Sequence, residues 1–224
     1  MQALEGVRVL DLSHGPATGI ATMILADCGA EVIMVERPGA PADSLHDLPA
    51  APMWRRGKQY LHLDLDNAAD HERLHQLAAA ADIFICNWRP AALQRRGLDF
   101  DTMHRVHPHL IYCHLSGFGS RGPMAELPGY EHVVAAYSGR MQLFAGLTDR
   151  PGPVFSAVQV GIHASAQSAV AGILAAVLER GESGPGRLLE TSLLQGMLPY
   201  EMGAMLGQQL AQHFPDLQAA FGAP

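Results

Sequence analysis

The sequence predicts an α/β protein built on a doubly wound, mainly parallel sheet. Three observations predict it: short apolar runs of strand length alternate with helix-length stretches, glycine-punctuated turns stand at the junctions, and no internal repeat or low-complexity tract interrupts the pattern.

The elements follow in order. Val7–Leu12 is an apolar strand, Gly15–Gly19 a turn, and the helix behind it runs to about Asp27, where Gly29 stands as a C′ glycine. Glu31–Glu36 is the second strand of this βαβ unit. A Pro- and Ala-rich loop spans 38–52, and a basic patch, Arg55, Arg56 and Lys58, leads into the alternating strand Tyr60–Leu65. Residues 67–81 have helical spacing, and Asp82–Trp88 is a compact strand halted by Arg89-Pro90.

Short helices are expected at Ala91–Gly97 and Phe100–Val106, then a strand at Leu110–Leu115 and the Gly-rich loop SGFGSRGP, Ser116–Pro123. In open α/β sheets such strand-to-loop junctions hold ligands. A helix near Glu131–Gly139, a strand near Val154–Val160 and a small-residue helix over His163–Glu179 come next. The turn Gly181–Gly186 enters a strand at Leu188–Thr191, and a last helix runs to about His213, with a frayed tail. At least four parallel βα units result.

The composition narrows the function. Of 224 residues 48% are hydrophobic and 17% charged, which excludes a disordered, collagen-like or coiled-coil chain. The formal net charge of -7, from 15 Lys+Arg and 22 Asp+Glu, argues against a nucleic-acid or anionic-membrane binder, so an anionic ligand needs a few placed residues. Cys28, Cys86 and Cys113 are odd in number and lie in apolar stretches, which reads as buried thiols in a reducing compartment. The N-terminus has no signal-peptide pattern, the longest weakly polar run (Ala164–Leu178) is short for a membrane span, and the cytoplasm is the expected location.

Several chemistries are weak on the residues alone. The turn Gly15-Pro16-Ala17-Thr18-Gly19 with Glu36 outlines a dinucleotide site but lacks the G-x-G-x-x-G spacing that lets backbone approach a pyrophosphate. Of the 12 histidines, His71 and His75 read as a solvated helix face and His104, His107 and His109 as a cluster interrupted by Pro108, so no metal site is expected. No G-x-S-x-G elbow for a serine hydrolase occurs.

Eight segments taken in order carry a sharper signal: LEGVRVLDLSH, LADCGAEVIMVERPG, GKQYLHLDL, ADIFICNWRPAALQRRGLDF, HPHLIYCHLSGFGSRGP, LPGYEHVVAAYSG, GILAAVLERGESGPG and LLETSLLQGML. Together, over about Leu4–Met197, they closely resemble the N-terminal half of class III CoA-transferases, the family of formyl-CoA and carnitine CoA-transferases and related acyl-CoA racemases. The resemblance implies a Rossmann-like large domain, here 1–200, with 201–224 leading toward a small domain that this chain does not reach. It also implies a homo-oligomer or a homologous partner chain.

It implies CoA thioesters and small carboxylic acids as substrates, with no metal, nucleic acid or membrane. CoA phosphates call for Arg, and adenine for a flat apolar or cationic surface. Arg37, Asn87, Trp88, Arg89 and Arg95 match the family's nucleotide-binding segments, and Lys58 a basic one. Transfer in the family resembles nucleophilic catalysis by an aspartate, which attacks the acyl-CoA carbonyl to give a mixed anhydride and then an aspartyl-CoA thioester.

Counting back from GILAAV, Gly172–Val177, that aspartate falls on Ile162, which cannot form an acyl intermediate; His163, one residue on, could act only as a base. Pro16 stands where formyl-CoA transferases carry glutamine, whereas Tyr130-Glu131 matches a Tyr-Glu pair near their active site. Glu131, with Tyr130, is the candidate catalytic residue that remains. Both groups of the racemase branch are missing. The expected function is CoA transfer between an acyl-CoA and a carboxylic acid, with little activity in this chain alone; the alternative is a non-catalytic CoA- or partner-binding subunit, or a degenerate fragment.

Overall fold

A computed structural model describes residues 2–38, 49–145, 148–181 and 184–214. Much of the expected 38–52 loop, part of the 181–186 turn and nearly all of the tail therefore lie outside the described residues. Six strands form one parallel sheet in the order β3-β2-β1-β4-β5-β6: β1 (Arg8–Leu12), β2 (Glu31–Glu36), β3 (Lys58–His62), β4 (Ile83–Cys86), β5 (Ile111–Ser116) and β6 (Leu188–Ser192). The order reverses between β1 and β4, which opens a crevice at their carboxyl ends. β4 and β5 are buried along their whole length, as strands covered on both faces must be.

One face of the sheet packs against α1 (Pro16–Asp27), α8 (Val160–Arg180) and α9 (Leu193–His213), around Ile20, Ile85, Cys113, Ile173 and Met197. The other packs α3 (Ala68–Ala79), α4 (Pro90–Arg95) and α5 (Phe100–Val106) around Leu10, Phe84, Leu74, Leu98 and Tyr112. Asn67 caps α3 by accepting from Ala69 N at 2.8 Å, and Asp99 caps α5 by accepting from Thr102 N at 3.1 Å. Three short helices complete the elements of the described residues: α2 (Ala51–Arg55), α6 (Glu131–Tyr137) and α7 (Arg140–Leu143).

Several expectations are corrected. Residues 154–159 form no strand, and Val160 already begins α8. Pro151, Gly152 and Pro153 precede the segment, and β6 occupies the place beside β5. Val154 N donates to Met141 O at 2.9 Å, and Phe155 and Val158 are exposed. Cys28 is exposed because it is the C-cap of α1, whereas Cys86 and Cys113 are buried; burial pushes the Cys86 thiol up to about 12.

His71 and His75 do not form a solvated face. The His71 ring lies 2.7 Å from the Arg96 carbonyl, and His75 Nδ1 shares a hydrogen bond with His107 Nε2 at 3.1 Å. α9 continues across residue 200 with Pro199 inside it. Among the described residues α8 is the helix long and apolar enough to span a membrane by composition, with mean hydropathy 1.5, but half of it is buried in the fold.

Candidate functional site

A cavity of about 930 Å³ opens at the reversal of strand order. The segments that follow β1 (His14–Ala17) and β4 (Asn87–Arg89) and the end of β5 (Ser116, with Gly117 after it) line it, together with Tyr130, Glu131, Phe155 and Ile162. Gly15 has φ +86°, a conformation that turns the chain sharply from β1 into α1. Asn87 fixes the preceding residue: its Oδ1 accepts from His14 N at 3.0 Å, and its Nδ2 donates to His14 O at 2.5 Å. The loops after β1 and β4 are thereby tied across the crevice.

Trp88 stacks on His14 with ring centres 5.9 Å apart, and both residues line a smaller cavity of about 180 Å³ as well. His114, buried on β5, holds the Trp88 carbonyl at 2.8 Å, and burial lowers its pKa from the usual imidazole value. The smaller cavity contains Arg37 and Arg96, with Arg96 5.5 Å from the Trp88 ring centre. Arg37 lies 4.0 Å from Asp66, and Arg96 lies 2.6 Å from it. The Trp88 indole N–H and the Arg96 Nε are buried and make no hydrogen bond within the described residues.

On the opposite wall, Gly117 and Gly129 cross so closely that a Cβ on Gly117 would stand 2.3 Å from the Gly129 Cα. This contact carries the start of α6 up to the cavity and sets Glu131 at the N-terminus of α8. Its carboxylate accepts from Gly161 N at 2.9 Å and from Ile162 N at 2.8 Å. Two of the backbone donors that begin a helix are so satisfied, in the field of its positive end. Gly161 is closely packed: a Cβ there would meet Met197 at 2.7 Å, Glu131 Oε2 at 2.9 Å and the Leu193 carbonyl at 3.1 Å, so these neighbours would have to shift. Ile162 points its apolar side chain into the core cluster at the cavity floor, 6% exposed, beside Leu193.

The residues singled out in the sequence therefore separate. Asn87, Trp88, Arg89, Tyr130 and Glu131 line the main cavity and Arg37 the smaller one. Tyr130 is exposed and stacks on His132 at 5.8 Å, which meets Phe155 edge-on at 6.3 Å, forming an aromatic rim. Arg95, the last residue of α4, is exposed and lines neither cavity, whereas its neighbour Arg96 faces Trp88.

Lys58 is turned inward. Its side chain is wholly enclosed, 3.6 Å from the Asp11 carboxylate and donating to Thr22 Oγ1 at 2.6 Å and Gly19 O at 3.1 Å. Desolvation outweighs the attraction of Asp11 and lowers the pKa of this amine. Sequence reading missed His14, Trp54, Arg96, Phe155 and Gln159; the position of His14 in the turn after β1 is the signal that could have found it. No cluster of three or more metal-ligating residues occurs among the described residues.

Comparison with known proteins agrees with this fold. The family model CoA-transferase family III matches residues 4–220. A succinyl-CoA:glutarate CoA-transferase of Mus musculus is 34% identical over 209 residues, 88% of this chain and 47% of that protein. A formyl-CoA:oxalate CoA-transferase of Streptomyces avermitilis is 32% identical over 221 residues, 96% of this chain and 53% of that one. Rv3272 from M. tuberculosis superposes with a TM-score of 0.85 at 29% identity, covering 93% of this chain and 58% of its own. A CAIB/BAIF family protein from Brucella suis gives 0.82 at 26% identity, covering 100% and 59%. The chain spans about half the length of the curated relatives it matches.

Proposed function

The chain belongs to CoA-transferase family III, and from that premise we propose that it holds a CoA thioester in the crevice between β1 and β4 but does not, by itself, transfer the CoA. The observation that carries this reading is Ile162. At the position where the family resemblance puts the nucleophilic aspartate stands an alkyl side chain on the cavity floor, and the neighbouring carboxylate, Glu131, spends both oxygens on the α8 amides.

Binding is assigned to Arg37, Trp88, Arg89 and Arg96. Guanidinium forks suit phosphate oxygens, and the half-buried Trp88 face suits a purine. The unbonded indole N–H and Arg96 Nε offer donors to such a ligand, since buried polar groups are normally paired. Asn87 keeps the His14 turn in place, and Lys58 is assigned a structural role instead.

Transfer, in this reading, requires another chain. The exposed Met202, Met205 and Leu206 on one side of α9 form an apolar surface suited to a second copy or a homologous CoA-transferase. Intact-mass spectrometry after incubation with an acyl-CoA tests the absence of chemistry. An unmodified mass is expected; an acyl or CoA adduct mapped to Glu131 would overturn the reading in favour of that residue as nucleophile.

A further inference from the structure

We infer that the cavity selects CoA thioesters whose acyl group ends in an apolar group, and rejects the half-thioesters of dicarboxylic acids. The inference rests on the CoA-binding reading above and names the acyl class that the same site takes. Its basis is the charge and polarity of the cavity wall around Ile162.

Among the described residues that line the cavity, Arg89 is the one arginine or lysine and Glu131 the one carboxylate. Arg89 stands at the N-cap of α4, on the β4 side, where the CoA-binding reading commits it to phosphate. The floor is alkyl: Ile162, Leu115, Leu193 and Ala17 are all nearly inaccessible, with Leu127 and Phe155 beside them on the wall. Burying the methyl and methylene groups of an acyl chain here is favourable.

A distal carboxylate meets the opposite conditions. It would lose its water to an alkyl surface whose one arginine or lysine among the described lining residues, Arg89, is committed to phosphate. The α8 N-terminus, the helix end beside Ile162 on the cavity floor, is already filled by the Glu131 carboxylate through Gly161 N and Ile162 N. An incoming carboxylate would face that like charge as well.

Butyryl-CoA and succinyl-CoA make a matched test, because the four-carbon acyl chains differ only in a terminal methyl against a carboxylate. Isothermal titration of the full chain with free CoA, butyryl-CoA and succinyl-CoA is expected to show butyryl-CoA tightest, by about tenfold or more over succinyl-CoA. Phe155→Lys, an exposed rim position that tolerates a charge, is expected to narrow that gap by supplying the missing cation. Succinyl-CoA binding as tightly as butyryl-CoA, with free CoA also bound, would overturn the inference alone. A gap unchanged in Phe155→Lys would also count against it. No binding of free CoA to the folded chain would overturn the CoA reading and the inference with it.

Discussion

The backbone N–H of Ile162 donates to Glu131 Oε2 at 2.8 Å, while Oε1 of the same carboxylate accepts from Gly161. One carboxylate thus caps the 21-residue helix α8 at the edge of the cavity. Glu131 is in this way a positioning residue, and its loss should register first in stability.

Glu131→Ala should cost about 2 kcal/mol, the scale of hydrogen bonds to a charged acceptor at a helix N-terminus. Urea unfolding with an unchanged m-value would measure it. Glu131→Gln, which keeps one acceptor oxygen, should lose about half as much.

Lys58→Met should destabilise the chain by about 3 kcal/mol or more, because it leaves the buried Asp11 carboxylate without its cation. The double variant Lys58→Met with Asp11→Leu should recover part of the loss, as a denaturation double-mutant cycle would show. A Lys58 that instead contacted CoA would show its effect in affinity and leave stability unchanged.

Acidification should weaken the fold through His75, His107 and His114. Burial, chiefly, lowers all three pKa values from 6.5, and neighbouring imidazoles add to it for His75 and His107, with Glu72 opposing at His75. The unfolded chain therefore binds more protons below about pH 6.5, so this stability is fully present above that pH and is lost as pH falls toward the lowered folded values. Urea midpoints taken between about pH 7.5 and pH 5.5 should fall, and His107→Gln should flatten the profile.

Asn87→Ala should weaken CoA binding about tenfold, the equivalent of roughly 1.4 kcal/mol. The variant frees the His14 turn, so binding must order it. Trp88 fluorescence would follow the titration.

Met202→Glu with Leu206→Glu on the exposed face of α9 should shift the chain toward monomer in sedimentation velocity, since both side chains are accessible. An unchanged distribution would remove α9 from the proposed association surface.

The sheet was legible because its strands are short apolar runs bounded by glycine and proline, and DIFIC on β4 and IYCHLS on β5 could hardly be placed elsewhere. Val154–Val160 misled for the same reason: its valines have strand propensity, but pairing depends on a vacant neighbour, which local sequence does not encode. The resemblance offers Lys58 as a binding residue, whereas its Asp11 partner lies 47 residues earlier in the chain and is brought to it only by the βαβ crossover. Arg95 and Arg96 are adjacent, and only the helix phase decides which faces Trp88. The Glu131–Ile162 contact depends on the Gly117–Gly129 crossing, which no spacing rule predicts.

Titration calorimetry of free CoA into the purified chain, beside Arg89→Ala, tests the central claim most directly. Saturable micromolar binding, weakened about tenfold or more by the loss of one charge-assisted phosphate contact, is the expected result. A folded chain that takes up no heat on CoA addition would contradict it.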